Sequence, residues 1–301
     1  MRILVLGAGG MLGHQMLRRL SARFPDTWGT LHGTRAGLPG SLSKLFDPAR
    51  TIEGVDALDP DALDAVIRRV GPAVIVNCVG AIKQKAGARE EFLAYALNAT
   101  LPHRLAALAG ALAARLIHVS TDCVFSGRKV GGLYTEAEEP DPDDLYGRSK
   151  LAGEVVGPRL LTVRTSFIGR EPAQHVSLLG WLLAHRGGAV RGYTRVWWSG
   201  LTAAHVADVV GDVIERHPAL AGLYHLTGER LTKFDLLCRL RDGLGLDVAI
   251  EPDDGPALDR SLDGSRFAAA TGYGFPGWEV LVAGLAADPT PYDLPTGGTT
   301  R

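Results

Sequence analysis

Ile3-Leu4-Val5-Leu6-Gly7-Ala8-Gly9-Gly10-Met11-Leu12-Gly13 is the stretch that decides the fold. Four apolar residues run without alternation into a glycine-rich turn, and the turn opens a helical pattern over Met11–Leu20. An uninterrupted apolar run of strand length reads as a strand covered on both faces, as in parallel sheets. Glycine at Gly7, Gly10 and Gly13 has a physical use at such a turn. A side chain on the turn would hold the backbone away from a pyrophosphate, and one on the first helical turn would hold the helix off the sheet. The helix N-terminus also presents N–H groups to an anion. The same glycines serve a plain tight connection equally well; their place after the very first strand is what points to a dinucleotide.

Outward from that stretch, apolar runs alternate with helical patterns: Asp61–Val70, Val74–Cys78, Leu101–Leu112, Leu116–Ser120 and the strand candidate Leu160–Arg164. Such alternation builds βαβ units, so the expected fold is α/β, a doubly wound parallel sheet of the Rossmann type. The pattern loosens from Gly187 to Gly200, where Trp197 and Trp198 stand, and a smaller substrate lobe is placed there. Ala203–Arg216 reads as an amphipathic helix and Gly222–Leu226 as a strand returning to the main sheet. The expected division is therefore 1–168 plus 203–226 for the nucleotide-binding unit and 169–202 plus 227–287 for a discontinuous lobe. From Asp288 to Arg301, Pro, Gly and Thr dominate, and a flexible tail is expected.

Composition narrows the function class. The chain has 301 residues, 46% of them hydrophobic, and a formal net charge of -1, so no basic field invites nucleic acid. The apolar segment from Ile3 meets glycines too soon to span a membrane or act as a leader. Cys78, Cys123 and Cys238 lack CxxC spacing, which suggests neither a disulfide framework nor a metal site, and a reducing cytoplasm is the expected compartment.

Cofactor choice turns on the second strand, which should end near Gly33-Thr34-Arg35. An enzyme selecting NAD places an acidic residue there for the ribose 2′-hydroxyl, and none is present. Arg35 is a candidate partner for a 2′-phosphate, which leans to NADP with NAD still open; a solvated loop arginine is the bland alternative. Asp56 is either a contact for the adenine edge or a loop carboxylate before the next helix.

Tyr146 and Lys150 stand one helical turn apart, on one face. An ammonium beside a tyrosine favours the phenolate and brings proton transfer within reach of neutral pH. Upstream, Ser120-Thr121-Asp122-Cys123 closes a buried strand, at the edge where doubly wound sheets hold ligands. Thr121 is there placed to hydrogen-bond an oxygen whose proton Tyr146 moves.

The opening glycines, HVSTDCVFSG (His118 to Gly127), YGRSKLAGE (Tyr146 to Glu154) and RTSFIG (Arg164 to Gly169) together resemble the extended short-chain dehydrogenase/reductases. Within them, the match is to the dTDP-4-dehydrorhamnose reductase group and related nucleotide-sugar reductases and epimerases. The resemblance implies that Gly7, Gly10, Met11, Leu12 and Gly13 hold the pyrophosphate and that Cys78, Val79 and Gly80 line the cofactor. It implies a catalytic set of Thr121, Tyr146 and Lys150, with Lys150 holding the nicotinamide ribose and depressing the tyrosine pKa. Asn98 fits the family's structural asparagine. A reductase of a nucleotide-linked 4-keto-6-deoxy sugar is the implied activity, a nucleotide sugar the implied partner, and a homodimer is left open.

The chain departs from the reductases by reading STDCVF where they resemble STDYVF. GDP-fucose synthase carries an acid/base cysteine at the equivalent place, and a histidine in a segment resembling His175-Val176. The resemblance thus implies Cys123 and His175 as an epimerising pair, with a buried inert cysteine and a helix-capping histidine as the alternative. A purely regulatory subunit, as in methionine adenosyltransferase, is a further rival. For the substrate, Lys83, Lys85, Arg191, Arg195 and Arg260 are candidate phosphate contacts beside Asp122. Trp197 or Trp198 is a candidate stacking surface, and Arg260 is favoured among the cations.

Overall fold

The computed structural model describes residues 1–38, 40–82, 88–172 and 177–292. The chain opens with β1 (Ile3–Leu6), α1 (Met11–Arg23), β2 (Thr27–Thr30), β3 (Thr51–Ile52), α2 (Pro60–Val70) and β4 (Val74–Asn77). There follow α3 (Ala88–Tyr95), a π-helical turn over Ala96–Thr100, α4 (Leu101–Ala111), β5 (Arg115–Thr121), α5 (Leu145–Ala152), β6 (Leu160–Thr165) and β7 (Phe167–Ile168). The remainder comprises α6 (Leu178–Ala184), β8 (Ala189–Trp198), β9 (Leu201–Thr202), α7 (Ala203–Arg216), β10 (Gly222–His225) and β11 (Leu231–Thr232). Last come α8 (Lys233–Gly243), β12 (Ala249–Asp259), α9 (Ser265–Thr271) and α10 (Trp278–Ala286).

Seven strands form one parallel sheet in the order β10-β6-β5-β4-β1-β2-β3. The order reverses between β1 and β4, and ligands of such sheets bind beyond the strand ends at that point. Period-two geometry explains why β1 shows no polar alternation. Ile3 and Val5 face a core built with α1 and α7 residues such as Met16 and Val210, while Leu4 and Leu6 face one built with α2 and α4 residues such as Ile67 and Leu105. The first of these cores runs on into α8 and α10 through Leu236, Leu240, Trp278 and Leu281, so the two parts of the chain share apolar packing. A second sheet, β11-β8-β12, and the pair β7-β9 complete the architecture. No helix among the described residues is long and apolar enough to cross a membrane.

Two expectations are corrected. The second strand ends at Thr30, before Gly33; Arg35 instead opens a 3-10 turn over Arg35–Gly37, whose N–H at Gly37 is taken by the Thr34 hydroxyl. The segment from Asp288 was expected to be loose, yet 288–292 packs on α1. The Asp288 carboxylate pairs with Arg18 at 3.2 Å and accepts from Gln15 at 2.8 Å, while the Tyr292 hydroxyl meets His14 Nε2 at 2.7 Å. Polar side chains on the buried face of α1 need partners, and this segment supplies them.

Candidate active site

The cradle at the end of β1 depends on backbone clearances that side chains would remove. Gly7 has φ +75°, and a Cβ there would come within 3.0 Å of Val79. A Cβ on Gly13 would lie 2.0 Å from the Gly7 carbonyl oxygen, so glycine is what lets α1 sit against the turn. Gly10, the residue before α1, offers no side-chain cap, which leaves the first helical N–H groups facing outward. Beside the turn lies a cavity of about 380 Å³, lined by Gly7, Gly10, His32, Asp56, Cys78, Val79 and Gly80 with an apolar wall including Val55, Leu58 and Leu63. A glycine turn, free helical N–H groups and an apolar slot ending on Asp56 fit a dinucleotide with its adenine in the slot. Leu12 is an exception among the residues expected here: it is 5% exposed, packs in the core and lines neither cavity. Arg35 donates to Glu53 at 2.5 Å, and that contact holds the Glu53 carboxyl below the usual range. The chain therefore does carry an acid here, contributed by the residue after β3 and invisible in the sequence around β2.

A larger cavity of about 900 Å³ shares Gly10, Gly80, Leu93 and Leu97 with the first. Its wall holds Asn98, Ser120, Thr121, Asp122, Cys123 and Tyr146, and Met11 lies at its edge. Thr121 ends β5, accepts from Cys123 N at 3.1 Å to start the 3-10 turn Asp122–Val124, and donates to Asp122 Oδ1 at 3.1 Å. Asp144 caps α5 by accepting from Gly147 N, and a Cβ on Gly147 would lie 2.1 Å from the Cys123 carbonyl oxygen. That close seat brings Tyr146, on the first turn of α5, against the end of β5. Asn98, in the π-helical turn, donates to Ser149 at 3.0 Å and accepts from Ala81 N at 2.8 Å, tying α5 to the segment after β4.

Electrostatics here differ from the simple expectation. Burial raises the Tyr146 phenol well above its usual range, the neighbouring Cys123 adds to this, and the nearby Thr121 hydroxyl opposes it. The Lys150 ammonium donates to Val119 O at 2.7 Å, and burial brings it down to about 8 against the upward pull of Glu154 and Cys78. Desolvation, rather than the expected depression by Lys150, governs the tyrosine, and Tyr146 stands as a protonated donor. Cys78, at the end of β4, is pushed up to about 12 by burial and is a thiol at neutral pH. Beneath the wall, the Glu154 carboxylate accepts from Ser120 at 2.7 Å and is clamped by Arg164 through two 2.7 Å bonds.

The far wall is less uniform. Arg260 donates to Cys123 Sγ at 3.5 Å and to Asp143 at 3.0 Å, so it backs a wall residue without itself lining the cavity. Arg191 lies on β8, largely exposed, with Asp253 at 3.6 Å, and Arg195 is exposed; neither lines the cavity. Trp197 carries the Arg230 guanidinium 3.8 Å from its ring centroid, and Trp198 is buried against Trp278; both faces expected for a ligand have protein partners. Lys83, Lys85 and His175 lie outside the described residues. Lys233, which sequence reading passed over, opens α8 with its ammonium 4.2 Å from the Trp198 ring centroid and in electrostatic reach of Asp122 and Cys123. The capping box of Thr232 with Asp235 marks that helix start in the sequence, but nothing there says which cavity the start approaches.

The family described as the RmlD substrate binding domain matches residues 1–257. The dTDP-4-dehydrorhamnose reductase of Mycobacterium tuberculosis (strain CDC 1551 / Oshkosh) is 33% identical over 175 residues, 56% of this chain and 50% of that protein. The chain therefore spans about half the length of that relative. Methionine adenosyltransferase 2 subunit beta of Rattus norvegicus is 27% identical over 258 residues, 81% of this chain and 72% of that one. Among solved structures, dTDP-4-dehydrorhamnose reductase from Bacillus anthracis in complex with NADP superposes with a TM-score of 0.75. It is 23% identical and covers 94% of this chain and 98% of that one.

Proposed function

The chain belongs to the RmlD substrate-binding-domain family, and from that premise we propose that it is a nicotinamide-dependent reductase of a nucleotide-linked 4-keto-6-deoxy sugar. One observation carries this reading: Thr121 and Tyr146 stand together on the wall of a cavity that shares Gly10 and Gly80 with the dinucleotide cradle. NADPH is the proposed donor, since the Bacillus anthracis neighbour is described with NADP, and NADH is the alternative. A reduced nicotinamide supplies a hydride to the ketone carbon.

The rest falls to the chain's own side chains. Tyr146, protonated through its burial, gives its phenolic proton to the ketone oxygen, so that the alcohol leaves neutral. Thr121 orients that oxygen. Lys150, anchored on Val119 O, keeps a positive charge beneath the site that opposes the negative charge left on Tyr146. The cradle glycines let the pyrophosphate approach the backbone, and Asp56 meets the adenine edge.

Cys123 on the cavity wall, with Arg260 donating to its sulfur, favours a second reading in which the enzyme also epimerises a carbon beside the ketone. The longer alignment with methionine adenosyltransferase 2 subunit beta favours a regulatory rival. A purely regulatory role gives no reason for Tyr146 and Thr121 to share one cavity wall. The test is loss of nicotinamide absorbance with dTDP-, UDP- and GDP-linked 4-keto sugars. Stoichiometric oxidation with one of them is expected, and cofactor binding without turnover of any would leave the regulatory reading.

A further inference from the structure

The segment 288–292 joins two buried polar side chains of α1, His14 and Gln15, into one hydrogen-bonded chain that ends on the glycine turn. Each proton along it has a consistent place. The Gln15 amide donates to Asp288 Oδ2 at 2.8 Å and to the Tyr292 hydroxyl oxygen at 2.7 Å. That hydroxyl is left to donate to His14 Nε2 at 2.7 Å. With Nε2 an acceptor, the proton of the neutral ring sits on Nδ1, 2.9 Å from the Gly10 carbonyl oxygen to which it donates. The longer approaches, Gln15 Nε2 to His14 Nε2 at 3.2 Å and Tyr292 to Asp288 at 3.1 Å, leave Nε2 an acceptor as well. Burial keeps the ring neutral by pulling the imidazole down to about 4, which the bond to Gly10 opposes without reversing. Arg18 closes the outer side, pairing with Asp288 at 3.2 Å and donating to Gln15 Oε1 at 2.9 Å, and the Arg170 guanidinium lies 5.6 Å from the Tyr292 ring centroid.

The Gly10 carbonyl already accepts a helical bond from His14 N at 3.0 Å, so α1 forms its first turn without the ring. An apolar side chain at position 14 would be buried with no polar group to satisfy. What the imidazole adds is a second, directional hold on that one carbonyl. A peptide unit is planar, with its C=O and N–H pointing opposite ways. Fixing the Gly10 oxygen along the helix therefore fixes the Met11 N–H, which points out of the N-terminus of α1. Gly10 lines both cavities and has no side chain of its own to steady it. We propose that His14 and Tyr292 are positioning residues for the cofactor: the C-terminal segment, acting through the His14 ring on the Gly10 carbonyl, keeps the first N–H groups of α1 aimed at the dinucleotide pyrophosphate. This rests on the reading of the glycine turn as a dinucleotide cradle, and not on the identity of the sugar. It also links cofactor binding to the docking of the segment, and such linkage is reciprocal: whatever Tyr292 adds to NADPH affinity, bound NADPH adds to the docking of Tyr292.

Two single variants and their combination test it, with NADPH affinity read by calorimetry. Tyr292→Phe removes the hydroxyl and keeps the ring beside Arg170; His14→Leu removes the imidazole and leaves an apolar side chain. Each is expected to weaken NADPH binding roughly 3- to 10-fold, the size of one neutral hydrogen bond. The double variant should bind no more weakly than His14→Leu alone, because Tyr292 acts only through the ring, whereas two independent structural contributions would multiply. The reciprocal readout is hydrogen exchange at the Tyr292 amide, which donates to Thr290 O at 2.8 Å. Saturating NADPH should slow that exchange in wild type and leave it unchanged in His14→Leu. Unchanged NADPH affinity in either single variant overturns the proposal, as do losses that multiply in the double or a wild-type Tyr292 exchange rate indifferent to NADPH. Should Leu at position 14 prevent folding, Tyr292→Phe and the wild-type exchange experiment decide alone. If wild type binds NADPH yet reduces no keto sugar, the reductase reading fails and the affinities still decide this proposal; if it binds no dinucleotide, the cradle and the proposal fall together.

Discussion

The two cavities that meet at Gly10 and Gly80 share an apolar lining and differ in the reactive groups they carry. The smaller is made of backbone and aliphatic side chains: glycines that clear space, and Val55, Leu58 and Leu63 that form a slot. The larger adds ionisable and hydroxyl side chains, among them Asp122, Cys123 and Tyr146 from the turn after β5 and from α5, to an apolar lining that includes Leu93, Leu97 and Phe167. Recognition by clearance is set within one short segment and changes only when a Cβ intrudes. Recognition by side-chain chemistry depends on burial, so each group's proton affinity is fixed by neighbours remote in sequence.

The sharpest separation of the two should come from Tyr146→Phe, which removes one hydroxyl and leaves the ring. We expect reduction to fall by roughly 10²–10⁴-fold while cofactor affinity and melting temperature hold, since a proton donor is lost and no cavity is made. Near-wild-type turnover would remove Tyr146 from the mechanism. Gly13→Ala strikes the other cavity. With a Cβ 2.0 Å from the Gly7 carbonyl oxygen, α1 must shift, and destabilisation of roughly 1–3 kcal/mol together with weaker NADPH binding is expected by calorimetry. Unchanged affinity would mean that the cradle is not where the dinucleotide sits.

The pH dependence of Lys150 bears on the chemical side. Its ammonium is lowered to about 8, so if that charge supports proton transfer from Tyr146, kcat for the ketone should decline as pH rises through about 8. A flat profile to pH 9 would assign Lys150 a purely structural part. Cofactor choice is a smaller effect on the backbone-built side. Glu53→Gln releases Arg35 from its 2.5 Å contact, and we expect NADPH to gain over NADH by several-fold in titrations, whereas Arg35→Ala should shift the ratio the other way. The smallest effect belongs to Cys123: deuterium entering the carbon beside the ketone in D₂O without reduced nicotinamide, and lost in Cys123→Ser, is the expected mark of epimerisation. Absence of exchange with a substrate that is reduced makes Cys123 a wall residue only.

Much of this protein was legible in its sequence, for a local reason. β1, its glycine turn and α1 are contiguous, and apolar residues on both pleat faces announce a strand covered on two sides before any partner is known. The spacing of Tyr146 and Lys150 on one helical face and the placing of Thr121 at a strand end are likewise local facts, so the meeting of Tyr146 and Thr121 at one cavity followed from periodicity and topology. What tertiary structure alone decided is the charge state and company of those groups. Burial sets Tyr146 as a donor and brings Lys150 down, overriding the ammonium-tyrosine coupling that spacing suggests. Arg35 finds Glu53 across β3, Trp197 receives Arg230, Tyr292 returns to His14, and Lys233 comes to the ring of Trp198. Each joins residues far apart in the chain, and desolvation energy depends on what surrounds a group in space, which no sequence window contains.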